Sequence, residues 1–157
     1  MVSKRQWLQI GLILYVSFVF VQSLFYKFSD SPETQYIFGT LDQWSAGLGF
    51  PGLFAPGGIF SAKVIGTFEL IASIALLVSL VGRYQFVRPF AALLGLGIIS
   101  GAIFFHLFTP LGVVIPNSDG TLDDGLLFGL ACGVWVSCAV LAGLNREPLL
   151  KLAGVAK

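Results

Sequence analysis

Charged residues are scarce in this chain: aspartate, glutamate, lysine and arginine make up 11% of its 157 residues. A soluble globular domain carries about 25% charged residues, so the composition excludes an ordinary soluble domain. The 9 basic and 8 acidic side chains nearly balance, and no basic cluster indicates a nucleic-acid-binding surface. The partner that this composition predicts is a lipid bilayer.

Histidine and cysteine, which supply most transition-metal ligands, are almost absent. The chain has one histidine, His106, and two cysteines, Cys132 and Cys138. The six-residue spacing of the cysteines places them on nearly opposite faces of a helix, so they cannot form a disulfide with each other. A single histidine and the lack of a Cys-x-x-Cys motif predict no metal, haem or covalently bound cofactor.

The chain instead has four long apolar runs, at about residues 7–26, 62–81, 90–109 and 125–144. Each is close to the ~20 residues that a helix needs to cross the hydrocarbon core of a bilayer. In lipid the backbone polar groups must find partners within their own segment, so each run is predicted to be a helix. We predict an all-α fold, an integral membrane four-helix bundle, as a single domain over residues 1–157.

The first apolar run follows Lys4 and Arg5, and this pattern also fits a secretory signal peptide. The run is longer than the apolar core of about 7–15 residues that signal peptides have, and no small-x-small cleavage site follows it. We therefore favour an uncleaved first helix.

Basic residues mark one side of the predicted membrane. They lie before the first run, between the second and third runs, and after the fourth: Lys4, Arg5, Arg83, Arg88, Arg146, Lys151 and Lys157. The two other loops carry acidic residues: Asp30, Glu33, Asp42, Asp119, Asp123 and Asp124. Because loops rich in lysine and arginine stay in the cytoplasm, we predict a multi-pass protein with both termini cytoplasmic.

The segment between the first and second runs, residues 29–61, is too long for a simple connection. Ser31, Pro32 and Glu33 indicate a helix start: a capping hydroxyl, a proline at the first position and an acid at the positive helix end. Apolar residues then recur at helical spacing: Ile37, Leu41, Trp44 and Leu48. We predict an amphipathic helix on the outer surface, anchored at the interface by its tryptophan and followed by a lid over residues 50–60.

Two ionisable residues interrupt the apolar runs. Glu69 lies roughly 10 Å inside the second run and His106 roughly 6 Å inside the third, at about 1.5 Å per residue. Because a short loop joins these two helices, the two side chains are predicted to meet. Lys27 ends the first run at the same level, and small or polar residues such as Ser73 share the face of Glu69, as on faces packed against protein. We predict that these four residues form a polar pocket in the outer leaflet.

These polar residues fit two interpretations. A charged group at this depth costs at least ~2.5 kcal/mol, which favours a functional pocket that binds a polar headgroup and passes protons. A structural lock is the alternative, since an intramembrane hydrogen bond contributes around 1 kcal/mol, and Lys27 also fits a lysine that extends from a helix end to the interface. Asp123 and Asp124, just before the fourth run, are interpreted as helix caps in preference to site residues.

Three segments together resemble the DoxX-like family of small four-helix membrane proteins. They are QSLFYKFSDSPETQYIF after the first run, IGTFELIASIALLV in the second and GAIFFHLFTPLG in the third. Lysine after the first run, glutamate early in the second and a polar residue late in the third follow the order of the family. The resemblance extends over roughly residues 5–145.

The resemblance implies a bacterial cytoplasmic membrane protein, and some relatives are associated with quinone-linked oxidoreductases. We therefore expect a small membrane subunit of a quinone-linked redox system, with a quinone as ligand and oxidoreductase subunits as partners. Glu69 and His106 are the expected proton-transfer residues, and Lys27, Glu69, Ser73 and His106 the expected ligand contacts. A non-catalytic scaffold or assembly subunit is the alternative, and a small proton-coupled carrier is a third. Enzymatic activity and homo-oligomerisation are left open.

Overall fold

The computed structural model describes residues 3–154, and within them it contains helices and loops without any strand. Six α-helices and one 3₁₀ helix follow along the chain: α1 (Lys4–Phe28), α2 (Pro32–Gly47), α3 (Ala62–Val78), the 3₁₀ helix η1 (Gly82–Val87), α4 (Arg88–Phe108), α5 (Leu126–Leu144) and α6 (Glu147–Leu152). The predicted all-α fold is confirmed. Lys157, one of the basic residues used to predict the orientation, lies outside the described residues.

The four long helices form a bundle in which α1 and α4 each pack against both α3 and α5. Small residues allow close approach in its centre: a Cβ added to Gly95 would lie 3.0 Å from Cys138 Sγ. The core combines such small residues with aliphatic ones: Ile13, Val16, Phe20, Ala72, Leu76, Ala91, Ala92, Ile99, Ala131, Val134, Cys138, Leu141 and Ala142.

The outer surface of the bundle carries the bulky apolar side chains. Phe18 and Phe108 are 67% and 68% exposed, and Ile74 is 53% exposed. In water such a continuous apolar surface would be unfavourable, whereas small residues inside and bulky apolar residues outside are typical of helices in lipid. The distribution supports a multi-pass membrane protein.

Three helical segments are long and apolar enough to cross a membrane: Lys4–Phe28, Gly82–Phe108 and Leu126–Leu144. The prediction of four crossing helices is therefore supported for three of them. α3 has 17 residues, at the lower limit of the length that a crossing requires. It ends at Val78, earlier than the predicted boundary at residue 81, because residues 79–81 turn towards η1. That α3 crosses the bilayer stays a prediction.

One end of the bundle, here called the loop end, is covered by α2, residues 48–61 and residues 109–125. The predicted start of α2 is confirmed: Ser31 caps it by accepting a hydrogen bond from the Thr34 N–H, and Pro32 is its first residue. Trp44 packs edge-on against Phe105 of α4, with 6.1 Å between the ring centroids. Its ring contacts the protein's own bundle, which the sequence did not predict.

The connection after α2, residues 48–61, folds back onto Phe105 at the loop end, and folding back onto the bundle is what the sequence predicted for this segment. Its fold depends on Asp42, whose Oδ1 accepts hydrogen bonds from the N–H groups of Phe54 and Ala55 at 3.0 and 3.1 Å. The Phe54 ring then lies 5.2 Å from the Phe105 ring. A small second core results, with four buried members: Leu41, Phe54, Leu111 and Ile115. Leu48, expected on the apolar face of α2, is instead 59% exposed, because it is the C-cap residue beyond the helix.

The opposite end, here called the terminal end, contains the start of α1, η1 and the end of α5. Ser3 and Gln6 form a capping box that starts α1 three residues before the predicted boundary at residue 7. Arg5 donates a hydrogen bond to the carbonyl of Leu144 and so ties the start of α1 to the end of α5.

Candidate functional site

Lys27 and Glu69 form an ion pair between α1 and α3 near the loop end. Lys27 Nζ lies 3.0 Å from Glu69 Oε2 and donates to Oε1 at 3.1 Å. Ser23, one turn before Lys27 on α1, donates to Glu69 Oε2 at 2.7 Å. Ser23 and Lys27 are four residues apart and so lie on one helix face, which directs both groups at the same carboxylate. No other ion pair joins residues of the described chain.

The network is closed within the protein. Glu69 is 5% exposed, and both of its carboxylate oxygens accept hydrogen bonds from α1. Lys27 Nζ also donates to Ser23 Oγ at 3.1 Å, which joins the three side chains into a triangle. A Cβ at Gly66 would lie 3.4 Å from Leu24, so α1 and α3 approach closely just beside this triangle. The arrangement compensates a carboxylate whose burial would otherwise be costly.

Ser73 was predicted to contact the ligand together with Glu69. Its side chain is fully buried and donates at 2.8 Å to the backbone carbonyl of Glu69, one turn earlier in the same helix. This is the local bond that serine commonly makes inside helices. The structure therefore places Ser73 beside the network but bonded to the backbone of Glu69.

His106 belongs to a different network. Its Nδ1 is 2.6 Å from the carbonyl oxygen of Gly112, and its ring is 5.7 Å from that of Phe128 on α5. Because a carbonyl can only accept, Nδ1 carries a proton and donates it to Gly112, and in the neutral form of the ring Nε2 is left as an acceptor. Within residues 3–154 no hydrogen bond or ion pair links His106 to Glu69. The two residues that were predicted to meet therefore belong to separate hydrogen-bond networks, because the loop after α4 turns back and Gly112 accepts the imidazole proton.

Asp123 organises the return from this loop into α5. Its carboxylate accepts hydrogen bonds from the N–H groups of Ile115, Gly125 and Leu127 at 2.7, 3.0 and 3.0 Å. Partial burial would raise the pKa of Asp123, but these three donors outweigh it and hold the pKa below the ordinary 3.8. Asp123 thus accepts the Leu127 N–H in the first turn of α5, as predicted for a cap, although the N-cap residue itself is Gly125. Asp124 instead has a left-handed backbone, with φ of 51°.

Replacing Asp123 with asparagine is expected to lower the free energy of unfolding by about 1 kcal/mol at neutral pH, because an amide cannot accept all three N–H groups. A carboxyl whose pKa is lower in the folded state stabilises the fold above its unfolded pKa and loses this effect as the pH falls. The difference between wild type and Asp123→Asn should therefore shrink below about pH 4.

Detergent-induced unfolding followed by circular dichroism, repeated at several pH values, checks this expectation. Asp124→Asn is the matched control, since Asp124 is the exposed neighbour of Asp123. An equal loss in both variants, or a difference that persists unchanged in acid, would contradict the assignment of Asp123 as an ionised cap.

A second buried polar cluster lies at the terminal end and was not predicted from the sequence. Arg88, at the start of α4, is 7% exposed. Its Nε and Nη2 donate to the hydroxyl and the carbonyl of Ser79 at 3.2 and 2.7 Å, and its Nη1 donates to Oε1 of Gln9. The sequence did contain signals: glutamine within the first apolar run, and arginine directly before Pro89. Arg88 was instead interpreted only as a charge that orients the protein.

No family model, curated protein or solved structure matches this chain. The resemblance to the DoxX-like family thus stays a prediction, and so do the quinone ligand and the redox partners. Among residues 3–154, no group of three histidine, cysteine, aspartate or glutamate side chains is placed to hold a metal ion.

Proposed function

We propose that this chain is a small multi-pass membrane protein that acts as a non-catalytic scaffold or assembly subunit. The observation that supports this proposal is the closed Ser23–Lys27–Glu69 network between α1 and α3. Its members bond to one another, and both Glu69 oxygens already have donors. Such a network stabilises one helix register, because sliding either helix by one turn would leave a charge unpaired within the membrane.

Because the Ser23–Lys27–Glu69 network is closed, it also argues against proton transfer through Glu69. A group that passes protons must exchange hydrogen-bond partners with a ligand or with water. Glu69 is 5% exposed and held by Ser23 and Lys27, so an incoming ligand would first have to displace these donors. Of the two interpretations that the sequence left open, this geometry favours the structural lock.

A second candidate function is the quinone-linked membrane subunit of a DoxX-like redox system, and His106 is the residue that favours it. With Nδ1 donating to Gly112, Nε2 of the neutral imidazole can accept a hydrogen bond and a proton from a quinol-type hydroxyl. Phe128 supplies an apolar wall beside the ring. When bound, a quinone would supply the redox chemistry, and a partner oxidoreductase subunit would exchange the electrons. His106 would bind the headgroup and accept or return a proton.

The two candidates are distinguished by quinone content. The protein is extracted in native lipid discs without detergent, and quinone per chain is quantified by mass spectrometry relative to bulk lipid. The variant is His106→Asn, whose amide nitrogen can replace the Nδ1 donor to Gly112 but has no group at the position of Nε2. The scaffold proposal expects the same quinone content in wild type and variant, at the level of bulk lipid.

Enrichment in the wild type that disappears in His106→Asn would overturn the scaffold proposal and support the quinone-linked subunit. Loss of helicity in His106→Asn would reveal a folding defect, so circular dichroism is recorded on the same discs. His106→Gln, whose amide reaches the position of Nε2 instead, then shows which ring nitrogen the quinone contacts.

A further inference from the structure

A polar cleft of about 490 Å³ opens at the terminal end, between the start of α1, η1 and the end of α5. The residues that line it are Ser3, Arg5, Gln6, Gln9, Ile10, Leu80, Gln85, Arg88 and Asn145. Two of them are arginines, four carry amides, and none is acidic. The lining is therefore rich in hydrogen-bond donors and positive charge, in a chain that has only 9 lysine and arginine residues.

Arg88 is a buried cation without a counterion among the described residues. The only ion pair in the described chain is Lys27–Glu69, at the other end of the bundle, so no carboxylate of residues 3–154 neutralises Arg88. Gln9 and Ser79, which accept its hydrogen bonds, are neutral. A guanidinium remains charged in any protein and carries more N–H groups than the three used here. Burying it in this way is costly unless an anion completes its surroundings.

Arg5 adds a second positive charge to the cleft. It is exposed, and one of its N–H groups donates to the carbonyl of Leu144, which holds the side chain at the end of α5. Two guanidinium groups that face one donor-rich cleft suit a phosphate group, which accepts several charge-assisted hydrogen bonds. Ile10 and Leu80 add apolar surface to the same lining.

We propose that this terminal cleft binds a phosphate group, with Arg88 and Arg5 as its cationic contacts. The phosphate can come from the headgroup of an anionic lipid or from a soluble anion, and the experiment below distinguishes these sources. The proposal is independent of the role of Lys27 and Glu69, because the two clusters lie at opposite ends of the bundle.

The test places a carboxylate in the cleft. Gln85 is an exposed residue of η1 that lines the cleft, so Gln85→Glu changes one exposed amide to a carboxylate of almost the same shape. The new carboxylate should act as an internal counterion for the arginines and compete with phosphate. Gln43→Glu is the matched control, since Gln43 is exposed on α2 at the loop end and the charge change is identical.

Purified full-length protein is placed in discs of phosphatidylcholine with increasing phosphatidylglycerol, and bound lipid is counted by native mass spectrometry. Wild type and Gln43→Glu should prefer phosphatidylglycerol. In Gln85→Glu this preference should fall about tenfold, roughly the effect of one charge-assisted hydrogen bond. Arg5→Gln should also weaken the preference.

A second arm adds inorganic phosphate to discs of phosphatidylcholine alone and measures thermal unfolding. If phosphate stabilises the wild type and Gln85→Glu abolishes this effect, the ligand is a soluble anion. If the wild type prefers phosphatidylglycerol but is not stabilised by phosphate, the ligand is a lipid headgroup. The proposal is overturned if wild type shows neither effect, or if Gln85→Glu and Gln43→Glu behave alike in both arms.

Discussion

Replacing Lys27 with methionine is expected to lower the free energy of unfolding by about 3 kcal/mol, because it leaves the buried carboxylate of Glu69 without a counterion. Breaking a buried pair from one side typically costs about 3–5 kcal/mol. The lower end of this energy range applies here, since the Lys27 side chain is 16% exposed and Ser23 still donates to Glu69 in the variant.

The double variant Lys27→Met, Glu69→Leu is expected to recover much of this loss, because it removes both charges from the apolar surroundings together. Glu69→Leu alone leaves Lys27 unpaired and should cost somewhat less than Lys27→Met, since a lysine near a helix end can extend to the interface. The non-additivity of the two single variants measures the interaction free energy between Lys27 and Glu69 directly.

Titration with a denaturing detergent, followed by circular dichroism in mixed micelles, provides these free energies. Lys63→Met is the matched control, because Lys63 is an exposed lysine at the start of α3 and no carboxylate of residues 3–154 lies within ion-pairing distance of it. If Lys27→Met and Lys63→Met are equally stable, or if the double variant costs the sum of the singles, the pair does not stabilise α1 against α3.

Replacing Arg88 with methionine is expected to lower the free energy of unfolding by about 2 kcal/mol, because the loss of its hydrogen bonds to Gln9 and Ser79 outweighs the relief from burying an unpaired guanidinium. The variant keeps much of the side-chain volume but removes the donors that serve Oε1 of Gln9 and the hydroxyl and carbonyl of Ser79. Gln9 and Ser79 are themselves buried, so their oxygen atoms lose partners where water does not easily replace them.

Unfolding is measured in discs of phosphatidylcholine alone, so that an anionic lipid cannot contribute to wild-type stability. Arg83→Met is the control, since Arg83 is exposed and its side chain lies over the neighbouring Tyr84 ring. The double variant Gln9→Leu, Arg88→Met should be more stable than Arg88→Met, because it removes an unpaired amide. Equal stability of Arg88→Met and Arg83→Met would show that the cluster does not hold α1, α3 and α4 together.

Local signals predicted the helices well. Ser31, Pro32 and Glu33 mark the start of α2 through capping chemistry, which depends only on neighbouring residues. The same holds for Asp123, whose carboxylate bonds to N–H groups within the loop that it ends. The boundary of α3 was less predictable, because its apolar run continues beyond Val78 into residues that turn towards η1.

The candidate sites were predicted only in part. Depth along the helices correctly suggested that Lys27 and Glu69 lie at one level, and the structure pairs them across a separation of 42 residues. Depth also suggested a contact of Glu69 with His106, but among residues 3–154 no hydrogen bond or ion pair joins them, because Gly112 turns back to accept the imidazole proton. Arg88 and Gln9 are 79 residues apart, and no local pattern relates them.

The sequence by itself determined that this chain is helical and apolar enough for a bilayer, because run length, charge scarcity and capping residues act through local physics and through solvation. Only the tertiary structure decided which polar side chains share a network. That choice depends on the rotation of each helix about its axis and on the path of the loops. A rotation of one residue, about 100°, would turn Glu69 away from Lys27 without changing the apolar character of α3.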